Sequence, residues 1–393
     1  MNDAPPLRAT YRLVLGSDES AEEKARAIAR EQTLEVPPGA ATPEIEARYL
    51  GRLAHVRPAQ VSPADAKPAE GSPASRESTV VRVDIEYPAA LFDGSTTQFL
   101  NVVWGNVSLM DDVLLEALEL PGWALEGFPG PRFGIEGVRG LVDADAGRPL
   151  VASALKPVGL STSELVALAR TLARAGVDVI KDDHGLTDQR MAPFADRVSR
   201  VAEAVRAVNA ATGGSTLYLP NVTAGLEVMP QRAAVAAGEG CAGVVVSTGL
   251  VGLDAMRSLR ESGPALAIMA HPSHANTSPN ARRGIAPDLL MGTLWRLAGA
   301  DCVVYVNARG RFAWPVEACL SVNAHARAPL GTHPPAFPVP AGGIQAAEVS
   351  HWFELYGPDT LLLVGGSVLE AEDVEAAARS VVEAARAAGR GRG

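Results

Sequence analysis

PLVASALKPVGLSTSELVALARTLARAGVDVIKDDH, residues 149–184, reads as strand, helix, strand. PLVASALK is a continuous apolar run closed by Lys156, SELVALARTLARAG carries its Leu and Ala at helical spacing, and DVIKDD is a second short apolar run. Runs that are apolar on both faces of the chain suit strands covered by helices on either side, as in a parallel sheet. The alternation continues through STLYLPN, AGVVVST, ALAIMAH, CVVYVNA, AFPVPAG and TLLLVGG, with helical stretches such as APDLLMGTLWRLAGA between them. Eight such runs predict a (β/α)8 barrel, with an open doubly wound sheet as the alternative. Polar residues close almost every run, which favours the barrel, because its site is built at the C-terminal ends of the strands.

Upstream the pattern is different. ATYRLVL and VVRVDIEYP read as strands, AEEKARAIAREQ as a helix capped by Ser20 or Asp18, and FLNVVWGN as a further strand near residue 100. VRPAQVSPADAKPAEGSPASRES, rich in Pro, Ala and Ser, reads as an exposed loop, and Pro121 to Arg139 as an irregular connector. The expected fold class is therefore α/β, with a smaller α+β domain over residues 1–140 and the barrel over 141–393.

A chain that is 47% hydrophobic and 20% charged has the apolar mass for a large core, and its net charge of −10 argues against nucleic acid and anionic membrane surfaces as partners. Cys241, Cys302 and Cys319 are odd in number and widely spaced, so neither a disulfide frame nor a zinc site is expected. The opening MNDAPPLRATYRL lacks a basic region followed by an apolar one, and no apolar run approaches a membrane span, so a cytoplasmic location is expected.

Only four lysines stand against 31 arginines, and two of them, Lys156 and Lys181, end strand-like runs. Arginine keeps its proton, whereas burial can neutralise a lysine for use as a nucleophile, Schiff-base former or carbamate carrier; a buried ion pair is the plainer reading. The other strand ends bring Asp183 and His184, Asn221, Ser247 and Thr248, His271, Asn307 and Arg309, then Ala341, Gly342 and Gly343, and Gly365 and Gly366. Their convergence on one pocket carries the argument, since a lone strand-end Asn caps turns and glycine pairs serve loop geometry. In GVDVIKDDH, Lys181 and Asp183 are two apart and project to the same side, with His184 at the strand's end. A lysine carbamate there offers carboxylate-like oxygens to a hard divalent ion, whereas a free ammonium cannot coordinate one.

This segment resembles the signature of the large chain of ribulose bisphosphate carboxylase, Gly-x-Asp-Phe-x-Lys-x-Asp-Glu, met here by Gly176, Asp178, Lys181 and Asp183. EYPAALFDGSTTQFLNVVWGN resembles the family's N-terminal domain, GRPLVASALKPVGLS its first barrel strand and loop, and FPVPAGGI with LLLVGGS its two phosphate-gripping loops, so the resemblance covers nearly the whole chain. It implies Lys181 as the carbamate-bearing ligand of Mg2+ or Mn2+, Asp183 as a second ligand and Lys156 as the acid/base that enolises the substrate. It implies His271 as the residue that orients or protonates the reacting oxygens, and Ala341, Gly342, Gly343, Gly365 and Gly366 as backbone donors to a phosphate. Glu31 and Asn106 match positions that reach into a neighbouring subunit's pocket, which implies a homodimer or a multiple of dimers.

The departures bear on function. The carboxylase holds CO2 with a lysine in the loop after strand six, but that loop reads NARGRFAWP and no lysine follows Lys181. Val158 replaces a second lysine after strand one, His184 the last ligand glutamate, and Pro272 the fifth-strand arginine. This is similar to the non-fixing, RuBisCO-like branch of the family, whose members enolise or isomerise phosphorylated methionine-salvage intermediates or cleave phosphorylated 3-oxo sugar acids. KDDH and EQTLEVP lean the reading toward a decarboxylase or transcarboxylase/hydrolase of 3-oxo-isoapionate 4-phosphate. The alternative is the 2,3-diketo-5-methylthiopentyl-1-phosphate enolase or a related isomerase. A Schiff-base aldolase and a non-catalytic oligomer are the rival classes. His184 is expected as a ligand, with general acid as the other role, and its nitrogen shifts preference from Mg2+ toward Mn2+ or Zn2+. Arg309 and Arg311 suit a substrate carboxylate or distal phosphate, or simply the surface; His274 and Asn276 are weaker candidates.

Overall fold

The computed structural model describes residues 4–60 and 79–390. Most of the Pro- and Ala-rich stretch, Lys67 included, lies outside them. The chain divides into two compact units, one of residues 1–128 with 276–290, the other of 129–275 with 291–393.

In the first unit, β1 (Leu7–Leu15), β2 (Arg52–Pro58), β3 (Thr79–Tyr87) and β4 (Val113–Glu119) form an antiparallel set in which β1 pairs with both β3 and β4 and β2 pairs with β3. The helix Ala21–Glu31 starts at Ser20, whose hydroxyl accepts from Glu23 N, and buries Ala25, Ile28 and Ala29. FLNVVWGN is not a strand. Thr96–Trp104 is a helix: Ser95 accepts from Gln98 N, Asp93 accepts from the Ser95 hydroxyl, and Phe99, Val102 and Val103 fall at helical spacing on the buried side. The cap decides against strand alternation.

In the second unit the eight expected strands appear as β5 (Leu150–Leu155), β6 (Val179–Asp182), β7 (Leu217–Leu219), β8 (Gly243–Val246) and β9 (Ala267–Ala270), then β11 (Cys302–Val306), β12 (Phe337–Ala341) and β13 (Leu361–Val364). Between β9 and β11 the chain passes through β10 (Gly284–Ile285), which pairs in parallel with β4 as part of the first unit. All barrel pairings are parallel, in the order β7-β6-β5-β13-β12-β11-β9-β8. The ring closes where Val245 N donates to Pro220 O at 2.9 Å and Val222 N to Val245 O at 3.1 Å.

The helix after β5, Thr162–Arg174, begins in a capping box in which Ser161 and Glu164 satisfy each other's backbone N–H. The stretch expected as one helix over APDLLMGTLWRLAGA is instead a π-helical turn, Asp288–Leu294, followed by Trp295–Leu297. Within the ring, side chains at every second position (Leu150 and Ala152, Val245, Met269, Val304, Val339) form the core. The region read as an irregular connector contains two helices, Gly122–Glu126 and Gly134–Leu141. The second packs Ile135 and Val138 against the barrel core and is fastened by Asp301, whose carboxylate accepts from Phe133 N and Gly134 N. The units therefore divide at Phe128/Pro129, ahead of the boundary expected at 140. All three cysteines are unpaired and buried, and no described helix is long and apolar enough to cross a membrane.

Candidate active site

The alternation that buries Leu150, Val179, Val245 and Met269 in the barrel carries Lys156, Lys181, Ser247 and His271 to the same inward face at the strands' C-terminal ends. Lys156 Nζ lies 2.9 Å from Asp183 Oδ1, and His184 Nδ1 lies 3.4 Å from the same oxygen. The His184 ring stacks on His271 with centroids 4.3 Å apart and planes 16° from parallel. Four residues from just beyond the ends of β5, β6 and β9 thus meet.

Lys181 is 1% exposed, and its Nζ donates to Asp182 O at 2.7 Å. Burial lowers its pKa from 10.5 to about 8; Asp183 opposes the fall and the Lys156 charge adds to it. At that value a useful fraction of the amine is neutral near pH 7, which carbamate formation requires. Burial pushes the Asp183 carboxyl up, but hydrogen bonds from His184 and Lys156 and the charges of both lysines hold it well below the usual range. Burial takes His271 down to about 2, helped by Lys181 and His184, so this imidazole is neutral in the folded protein. His271 Nδ1 lies 2.9 Å from Ser273 Oγ and accepts from Ser273 N at 3.2 Å, an arrangement that suits the tautomer with the ring proton on Nε2. His271 is a neutral hydrogen-bond donor. Sequence reasoning missed Ser273, although its position two residues after His271 was a usable signal.

Among the described residues, no group of three or more His, Cys, Asp and Glu side chains is arranged to hold a metal ion. Asp183 and His184 make two donors, and the set fits a hard divalent cation once Lys181 supplies carbamate oxygens. The buried, weakly basic amine beside Asp183 suits that use.

The glycine turns are shaped by the backbone. Gly342 and Gly343 have φ of 100° and 69°, and a Cβ on Gly343 would lie 2.5 Å from Arg309 C, so only glycine fits there. Ala341 is half-buried at the end of β12, Gly342 and Gly343 are exposed, and Gly365 leads into the short helix Gly366–Leu369 after β13. Asn307 ties β11 to this turn by donating from Nδ2 to Gly342 O at 3.0 Å.

Two of the strand-end residues expected to face the pocket, Asn221 and Arg309, are engaged within the protein. Asn221 is fully buried; its Nδ2 donates to His184 O and Leu186 O, and its Oδ1 accepts from Thr223 N and Oγ1. Arg309 pairs with Glu348 and lies over the Trp352 ring. Arg311 is exposed. Glu31 and Asn106 lie in the first unit, hydrogen-bonded to each other at 2.9 Å.

A (β/α)8 barrel that gathers two lysines, an aspartate and two histidines at one mouth has the form of a barrel enzyme's active site. Residues 134–312 match the family of the ribulose bisphosphate carboxylase large chain, catalytic domain. The chain is 37% identical over 390 residues to the 5-methylthioribulose-1-phosphate isomerase of Rhodospirillum rubrum, covering 98% of each. It is 36% identical over 292 residues to the 2,3-diketo-5-methylthiopentyl-1-phosphate enolase of Geobacillus kaustophilus, covering 73% of this chain and 70% of that one. Its fold is similar to that of the Rubisco-like protein from Rhodopseudomonas palustris, with TM-score 0.84, 36% identity and coverage of 97% and 98%. It is also similar to a dimeric archaeal Rubisco from Hyperthermus butylicus, with TM-score 0.83, 26% identity and coverage of 98% and 91%. The chain belongs to the ribulose bisphosphate carboxylase large-chain family and is an enzyme of its RuBisCO-like branch.

Proposed function

We propose that this enzyme isomerises a phosphorylated ketose of the 5-methylthioribulose 1-phosphate kind by taking a proton from the carbon next to the carbonyl and returning it elsewhere on the same carbon frame. The observation that carries the reading is the cluster itself. Lys156 is an amine at the mouth, 45% exposed along its side chain and paired with Asp183, and His271 is a neutral Nε2–H donor in the same cluster. Lys156 carries the proton, and His271 donates to the oxygen on which charge develops. The turns at Gly342–Gly343 and Gly365–Gly366 offer backbone N–H groups to the phosphate. A divalent ion, Mg2+ or, with an imidazole ligand, Mn2+, held by carbamylated Lys181, Asp183 and His184, would supply Lewis-acid polarisation of adjacent substrate oxygens.

Isomerisation consumes no CO2, in keeping with a loop after β11 that has no lysine. The relatives' names favour the salvage-type alternative over the 3-oxo sugar-acid reading. The diketone enolase is the second reading, supported by the Geobacillus relative's name. A homodimer, with the partner supplying Glu31 and Asn106, belongs to the same proposal, as does a cytoplasmic location.

Solvent deuterium exchange into 5-methylthioribulose 1-phosphate, 2,3-diketo-5-methylthiopentyl 1-phosphate and a phosphorylated 3-oxo sugar acid tests it. Exchange should be fastest with the first. Lys156→Met should lower it by about a hundredfold or more, without rescue by Lys156→Arg, since a guanidinium does not release its proton. Equal exchange by wild type and Lys156→Met would overturn the assignment.

A further inference from the structure

The Asn221 side chain has no hydrogen-bonding capacity left for a substrate, and both of its Nδ2 protons go to the turn that carries His184. Its two Nδ2 protons go to His184 O at 2.9 Å and Leu186 O at 3.2 Å, and its backbone N donates to Asp182 Oδ2 at 3.0 Å. Its Oδ1 is fixed from the other side by Thr223 Oγ1 at 2.6 Å, and that hydroxyl accepts from Ser247 N at 2.9 Å. A hydrogen-bonded line thus runs from the end of β8, through the segment after β7, to the turn after β6. His184 itself is exposed along 43% of its side chain and has as its fixed neighbours the His271 ring and Asp183 Oδ1. The backbone sets the point from which the exposed imidazole reaches both neighbours, and here it is held through its own carbonyl.

We infer that Asn221 is a positioning residue. Resting on the function proposed above, it acts through the turn after β6 to keep the His184 imidazole stacked on His271 and beside Asp183, and touches no substrate itself. The fully buried amide does more than cap its own turn: its donors clamp carbonyls two residues apart on a neighbouring strand's turn, and its acceptor is oriented by Thr223, whose hydroxyl is held in turn by Ser247 N at the end of β8.

The test uses the full chain with its seven histidines labelled at Cε1. The His184 signal is identified by its loss in His184→Gln, and it reports the stacked position without metal or substrate. Asn221→Ala should move that signal away from its stacked value and lower kcat for exchange into 5-methylthioribulose 1-phosphate roughly tenfold, with KM changed by no more than roughly twofold. Asn209→Ala is the control. Asn209 also bridges backbone groups, accepting from Thr216 N and donating to Thr216 O, but it is remote in sequence from the turn. It should lower Tm while leaving the His184 signal and kcat in place. If Asn221→Ala does not fold, Thr223→Val, which removes only the hydroxyl that orients Oδ1, should shift the signal in the same direction by less. An unmoved His184 signal with unchanged kcat in a folded Asn221→Ala protein overturns the inference. Should wild type exchange none of the ketose phosphates, the function reading fails, while the His184 signal alone still decides the positioning role.

Discussion

At the scale of single residues, the two strand-end lysines occupy unlike environments. Lys156 is half-exposed and paired with Asp183, whereas Lys181 is sealed in the barrel with its pKa lowered to about 8. The neutral amine, the form that captures CO2, therefore grows as pH rises through about 8 and is scarce well below it. In 13C-bicarbonate with Mg2+, a carbamate resonance should appear and strengthen between pH 7 and 9, and Lys181→Ala should lack it; a resonance that survives the substitution would place the carbamate elsewhere. The sequence singled out both lysines by their rarity and placement. Which one is buried depended on neighbours that no spacing rule supplies, and the same holds for His271, whose neutral state and Nε2–H follow from burial and from Ser273.

At the scale of elements, the turn after β6 is held from behind as well as from above. Asp182 is fully buried and accepts from Arg197 Nε at 3.2 Å, Tyr218 hydroxyl at 2.8 Å and Asn221 N at 3.0 Å. Arg197, also fully buried, spans the turn by donating to Ala192 O and Thr187 O. Breaking such a pair strands a charge in the interior, so Arg197→Met should cost about 3–5 kcal/mol in urea unfolding, and the double variant with Asp182→Asn should recover part of it. A loss below about 1 kcal/mol would mean that the network contributes little to folding. KDD in the sequence drew attention to Lys181 and Asp183. The partner of its middle aspartate, Arg197, stands fifteen positions on and reaches Asp182 only in the folded chain.

At the scale of the whole molecule, a site at the barrel mouth and two matched positions in the first unit, Glu31 and Asn106, are proposed to join across a dimer. Glu31→Gln and Lys156→Ala proteins should each be nearly inactive alone. Unfolded together and refolded as mixed dimers, they should regain roughly a quarter of wild-type exchange, because half the dimers then hold one intact site of two. No recovery in mixtures shown to contain mixed dimers would place the Glu31 contribution within its own subunit, or nowhere.

The sequence by itself determined the barrel, because eight short runs apolar on both faces have few other ways to be covered, and it located Lys156, Lys181, Asp183, His184 and His271 because strand ends are marked where apolar runs stop. It misread FLNVVWGN, whose helix is fixed by the local cap at Ser95 against an apolar run that also suits a strand. Only the tertiary structure decided that Asn221 is spent on a turn, that Arg309 is bound to Glu348, and that residues 276–290 leave the barrel to complete the first unit's sheet. Each of these depends on a partner distant in sequence. Periodicity reports which face of an element is buried, whereas the partner of a polar group is set by where the chain returns.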